Sequence, residues 1–174
     1  IGKIINSGTD NIVISSLIGI SSVGIYSNYS LILQAVKHAF KSMLNGVTGS
    51  VGNLNVSCSK IKRQEILEQL LLISVWAFGF ASICLLILLE PFITLWAGSD
   101  YVLKFNIVLI IVSIFYIDGT SFIIETYRDT NGLFKEGRMA PLICSIINII
   151  LSIVLGKMLG LIGIFIATLV SIIF

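Results

Sequence analysis

The sequence predicts an all-α polytopic membrane helix bundle with six transmembrane helices. Five stretches, Asn11–Val36, Gln69–Leu89, Phe105–Ile117, Met139–Gly156 and Met158–Phe174, carry no Lys, Arg, Asp or Glu. Hydrophobic residues make up 56% of the 174 and charged residues 11%, and the mean hydropathy is +1.04. A water-soluble fold of this size cannot hide so much apolar surface. The segments between the apolar stretches also differ in basic charge, so an orientation follows from the sequence.

A spanning helix needs about 20 mostly apolar residues at 1.5 Å rise each, which divides the chain into helices at 4–19, 24–54, 66–90, 102–126, 139–157 and 160–174. The first is interrupted where Gly19, Ser21, Ser22 and Gly24 cluster. The second, at about 46 Å long by the same rise, exceeds a bilayer's hydrocarbon core and must tilt, bend or protrude, with an exit at Gly52. Pro91 and Gly98 predict the end of the third helix, because proline lacks the N–H that a helix interior uses. Gly132 and Gly137 open the loop before the fifth, whose Pro141 falls in the first turn where a missing N–H costs little. Gly156 and Gly160 predict a tight reversal before the sixth.

With the amino end cytoplasmic, Lys3, Lys60, Lys62, Arg63, Arg128, Lys135 and Arg138 fall inside, and Lys104 and Lys157 outside. The positive-inside rule favours that orientation. Trp96, Tyr101, Tyr26 and Tyr29 then gather near the outer ends, as an interfacial aromatic belt requires. Ile1 is no initiator methionine and Phe174 stands inside an apolar run, so the chain reads as a fragment truncated at both ends. Cys58, Cys84 and Cys144 are odd in number without C-x-x-C spacing, and read as apolar fillers or a loop thiol.

Polar residues inside apolar helices are the candidate functional groups. Ser30, Gln34, Lys37, His38, Lys41, Asn45, Thr48 and Gly52 recur at steps of three and four on helix two and draw one stripe. Each charge near a bilayer centre costs about 2.5–3.5 kcal/mol on insertion scales. The stripe therefore predicts a hydrated cationic cavity suited to phosphate, or else lysines that snorkel to an interface or sit past an early bend. Helix four carries Asp118 and, two turns on, Glu125. Asp118 calls for a watery lining or a lysine partner on helix two, while Glu125 and Arg128, at i and i+3, mark the cytoplasmic mouth. Asp10, with Thr9 and Asn11, reads as the cap of a helix that starts later, or as part of the cavity wall opposite helix two.

No G-x-S-x-G, H-E-x-x-H or Walker loop is present, and the single histidine, His38, has no ligand cluster, so neither an enzyme, a cofactor nor a metal centre is predicted. Scattered basic residues and a net charge of +2 give no reason to expect nucleic-acid binding.

The strings TDNIVIS (Thr9–Ser15), VGIYSNY (Val23–Tyr29), SVGNL (Ser50–Leu54), PFITLWAG (Pro91–Gly98), TYRDTNGLF (Thr126–Phe134) and PLICSIINIILSIVL…GLIGIFIAT (Pro141–Thr168) occur in an order and spacing that resembles the polysaccharide-biosynthesis transporters. These are the lipid-linked oligosaccharide flippases of the multidrug/oligosaccharidyl-lipid/polysaccharide superfamily. The resemblance implies one lobe of a two-lobe transporter, with residues 1–174 as its second six-helix bundle. It further implies a multi-pass protein of the plasma membrane that flips undecaprenyl-diphosphate-linked repeat units among membrane lipids, beside a polysaccharide polymerase and glycosyltransferases. A drug/cation antiporter of the same superfamily predicts a cavity dominated by carboxylates, and a membrane-embedded glycan-processing enzyme predicts catalytic groups elsewhere in a longer chain.

Overall fold

The computed structural model describes residues 2–54, 60–130 and 140–173. Apart from short connections they form helices, α1 (Gly2–Leu17), α2 (Ile20–Leu54), α3 (Lys60–Trp96), α4 (Phe105–Thr130), α5 (Ala140–Leu159) and α6 (Leu161–Ile173), with a short 3-10 turn at Ser99–Tyr101. Two of these, over Gln64–Trp96 and Phe105–Arg128, are long and apolar enough to cross a membrane, whereas the apolar runs Ile143–Leu159 and Leu161–Ile173 are shorter. At 16 residues α1 is too short for the same measure, whereas α2 is long enough but is interrupted by polar side chains, Lys37, His38 and Lys41 among them.

The breaks between helices differ from expectation in instructive ways. Gly19, at φ 126°, turns the chain after α1, and its N–H and that of Ile18 both donate to the Ile14 carbonyl at 3.0 Å. That φ is open to glycine and strained for other residues. Ser21, Ser22 and Gly24, expected in the break, are already helical, because Ser22 N–H donates to Gly19 O at 3.2 Å and starts the next turn. Pro91 does not end α3 but lies inside it. Leu89 and Ile93 are buried on either side of it, and their packing holds the helix across the missing hydrogen bond. The end comes at Gly98, φ 105°, where Ala97 and Gly98 N–H both reach the Ile93 carbonyl. The basic segment Lys60–Arg63, expected as a loop, forms the first turn of α3. Pro141 sits in the first turn of α5 as predicted, α5 continues through Gly156, and Gly160 makes the reversal.

In the bundle α5 packs on α6, α3 on α4, and α1 on α5, while α4 joins α6 and α2 lies against α1, α3 and α4. One aromatic core ties α2, α3 and α4: Phe78 is fully buried, with the Phe40 and Phe115 ring centroids each 5.4 Å away. Tyr26 meets Phe165 of α6 at 4.8 Å. The outward face of α3 is also apolar, with Trp76 73% and Leu95 89% exposed. A helix apolar on every side is buried in protein or faces lipid, and this one is not buried.

The expected aromatic belt is only half present. Trp96 and Tyr101 are exposed, but Tyr29 is fully buried and its hydroxyl accepts the Leu103 N–H at 2.8 Å. Tyr26 turns inward to α6. Both tyrosines serve the core because α2 presents them on its inner face, one of them tying the linker before α4.

Candidate functional site

Four helices, α1, α2, α4 and α6, line a half-open cavity of about 350 Å3. The polar stripe of α2 supplies one wall with Ser30, Gln34, Lys37, His38 and Lys41. Their steps of three and four keep them on one side of the helix, and Gln34 Nε2 donates to Ser30 Oγ at 2.8 Å along it. The opposite wall is mostly apolar, from Ile111 and Phe115 of α4 to Phe165 and Ile172 of α6, broken by Asp118, Asp10 and Thr168.

Lys37 Nζ lies 2.7 Å from Asp118 Oδ2, joining α2 to α4 across 81 residues of chain. The lysine side chain is 28% exposed and the carboxylate 11%. Such a charge-assisted hydrogen bond is stronger than a neutral one and offsets part of the cost of withdrawing both groups from water. One turn further, Lys41 Nζ stands 4.6 Å from the centroid of the Phe122 ring, a cation–π contact again made to α4. The two lysines thus share one face, and both lean toward α4. His38 lines the same cavity from an exposed position on α2.

The structure brings together most of the residues singled out from sequence. Asp10, Gln34, Lys37, His38, Lys41 and Asp118 all line the one cavity. Asp10 lies in mid-helix and is buried, so the reading of it as the cap of a later helix start is corrected: α1 already begins at Gly2. Asn45, Thr48 and Gly52 follow on α2, with side chains outside the described residues. Glu125 and Arg128, one turn apart near the end of α4, are half-buried and stand outside the cavity lining. Lys135 and Arg138 lie outside the described residues. No group of three or more His, Cys, Asp or Glu side chains gathers as a metal site among the described residues, where Cys84 and Cys144 are free thiols.

Sequence reasoning missed the polar residues of α5 and α6. Ser145, Asn148 and Ser152 on α5 and Thr168 and Ser171 on α6 are all buried, and Thr168 reaches Asp10 of α1. Their steps of three and four within otherwise apolar helices carried the signal, the same periodicity that exposes the stripe on α2. No family model, characterised protein or solved structure matches the chain.

Proposed function

We propose that the chain is one lobe of a plasma-membrane transporter that flips undecaprenyl-diphosphate-linked oligosaccharide repeat units, with all six helices crossing the bilayer and no catalytic role. The observation that carries this reading is the cationic wall of the cavity, where Lys37 and Lys41 stand together on α2, with His38 beside them. A diphosphate offers several oxygens that compete with Asp118 for Lys37 and with the Phe122 ring for Lys41. Exchange of one anionic partner for another avoids leaving a cation without a counter-charge in a cleft between helices. A volume of about 350 Å3 is within the roughly 300–1,000 Å3 of small-ligand pockets and suits a head group. The sugar repeat then needs room outside this lobe, which the two-lobe resemblance supplies.

The outer surface supports the membrane part of the proposal, because Trp76, Phe80, Ile83 and Ile87 are exposed together along α3. Water would penalise that face by about 25 cal/mol per Å2, and lipid would not. A mainly basic end of α3, with Lys60, Lys62 and Arg63, then lies on the cytoplasmic side, beyond a helix that at 37 residues overruns a hydrocarbon core of about 30 Å.

A second reading has one observation in its favour: the carboxylates Asp10 and Asp118 line the same cavity, as a drug/cation antiporter would use. Binding of undecaprenyl diphosphate to the purified full-length protein in nanodiscs separates the two. The flippase reading predicts that Lys37→Gln/Lys41→Gln loses binding while Asp118→Asn keeps it. Unchanged binding in the double variant, or cationic-drug binding that only Asp118→Asn removes, would contradict it.

A further inference from the structure

The cavity face of α2 carries two rows of side chains, and they differ in chemistry. Lys37 and Lys41 lean toward α4, where one meets Asp118 at 2.7 Å and the other the Phe122 ring at 4.6 Å. Tyr26, Ser30, Gln34 and His38 follow one another at steps of four and line the same cavity. Residues four apart stand above one another on a helix, so these form a second row beside the lysines. Gln34 and His38 line the cavity and are nevertheless exposed, which puts them on its open side.

The second row gives and takes hydrogen bonds without a fixed charge. Gln34 Nε2 donates to Ser30 Oγ at 2.8 Å, and the Ser30 side chain also meets that of Tyr26. The bond to Ser30 uses one of the two carboxamide N–H groups, which leaves the other N–H and Oε1 for a ligand. At the amino end of the row the Tyr26 ring packs against Phe165 at 4.8 Å. A row that faced lipid would carry no such groups, and one that held phosphate would carry further cations. Hydroxyl and carboxamide match the hydroxyls of a sugar, which need donors and acceptors in equal measure.

We propose that Ser30 and Gln34 form a subsite for the sugar joined directly to the diphosphate, and so help to determine which glycan the lobe accepts. The subsite rests on the reading of Lys37 and Lys41 as the diphosphate ligands. At 1.5 Å per residue Gln34 stands about 4.5 Å and Ser30 about 10.5 Å from Lys37 along the helix axis, on the scale of a sugar ring attached to a phosphate held there. The ligand then lies with its diphosphate toward the carboxyl end of α2 and its first sugar toward the amino end. The contact of Tyr26 with Phe165 stops the row, so later sugars leave through the open side of the cavity. A site built to hydrogen-bond a hydroxyl discriminates against ligands that lack it, because its own polar groups are then left unpaired.

The test measures binding to the purified full-length protein in nanodiscs of undecaprenyl diphosphate and of the same carrier bearing a single glucose, galactose or N-acetylglucosamine. At least one sugar-bearing probe should bind about tenfold more tightly than the bare carrier, the yield of one or two hydrogen bonds. Gln34→Leu keeps the size of an exposed side chain and removes its amide, and should cut that preference about fivefold. Ser30→Ala should cut it in the same direction, and Gln34→Asn should retain part of it. Lys37→Gln/Lys41→Gln should weaken bare and sugar-bearing probes alike. A wild type with no preference for any of the three sugars, or a preference left intact by both Gln34→Leu and Ser30→Ala, would overturn the subsite and make the row a hydrated wall only. Binding of the bare carrier would in that case leave the diphosphate reading standing. Failure of every probe to bind the wild type would overturn the diphosphate reading and the subsite with it.

Discussion

Removal of Lys37 should cost more stability than removal of Asp118, and the two losses should not add. The ion pair spans α2 and α4 at 2.7 Å. At an effective dielectric of about 20 two unit charges at that separation attract by roughly 6 kcal/mol before desolvation is subtracted. Exposed pairs retain about 0.2–1 kcal/mol of that, and loss of one partner from a fully buried pair costs about 3–5 kcal/mol. With exposures of 28% and 11% the pair stands between these limits. Asp118→Asn leaves the lysine, which has a long stem and more access to water, and should cost about 1–2 kcal/mol. Lys37→Gln leaves the more enclosed carboxylate, and should cost about 2–3 kcal/mol. A double-mutant cycle, read by reversible unfolding in mixed detergent micelles, should give a coupling energy of about 1–2 kcal/mol. Additivity within about 0.5 kcal/mol, or a larger loss for Asp118→Asn than for Lys37→Gln, would refute the reasoning from burial and distance.

Gly119→Ala should destabilise the protein by about 1–3 kcal/mol, because a Cβ there would overlap the ring of Phe78, itself held between Phe40 and Phe115. Thermal unfolding measures it, and Phe78→Leu in the same chain should restore part of the loss. The charge bias predicts the orientation: in intact cells an impermeant thiol reagent should label a cysteine at Ser99 in a Cys-free background and not one at Lys62. The reverse labelling would invert the topology.

Much of the architecture was legible because a helix repeats every 3.6 residues. That period places Gln34, Lys37, His38 and Lys41 on one face, and one cavity receives all four. The cost of a charge among apolar residues then led from Asp118 to a lysine on α2, and the pair is present. Long-range packing was not legible. Tyr29 reads as an interfacial aromatic from its place near a helix end, yet it is buried, because only the approach of the 102–104 linker reveals what its hydroxyl meets. Pro91 reads as a stop by local chemistry, and tertiary contacts of Leu89 and Ile93 outweigh the lost hydrogen bond. Asp10 was ambiguous for the same reason: whether it caps or lines depends on where α1 begins, and its hydroxyl partner Thr168 is 158 residues away.

The proposed role of Lys37 and Lys41 is to hold the diphosphate of a lipid carrier inside a membrane cavity. The most direct measurement in cells is surface-glycan export by the full-length protein carrying Lys37→Gln/Lys41→Gln, compared with wild type at equal protein level in the membrane. Export should be lost in the double Gln variant, better preserved by Lys37→Arg/Lys41→Arg, whose guanidinium forks still pair with phosphate, and impaired less by Asp118→Asn. Normal export by the double Gln variant at normal abundance would contradict it.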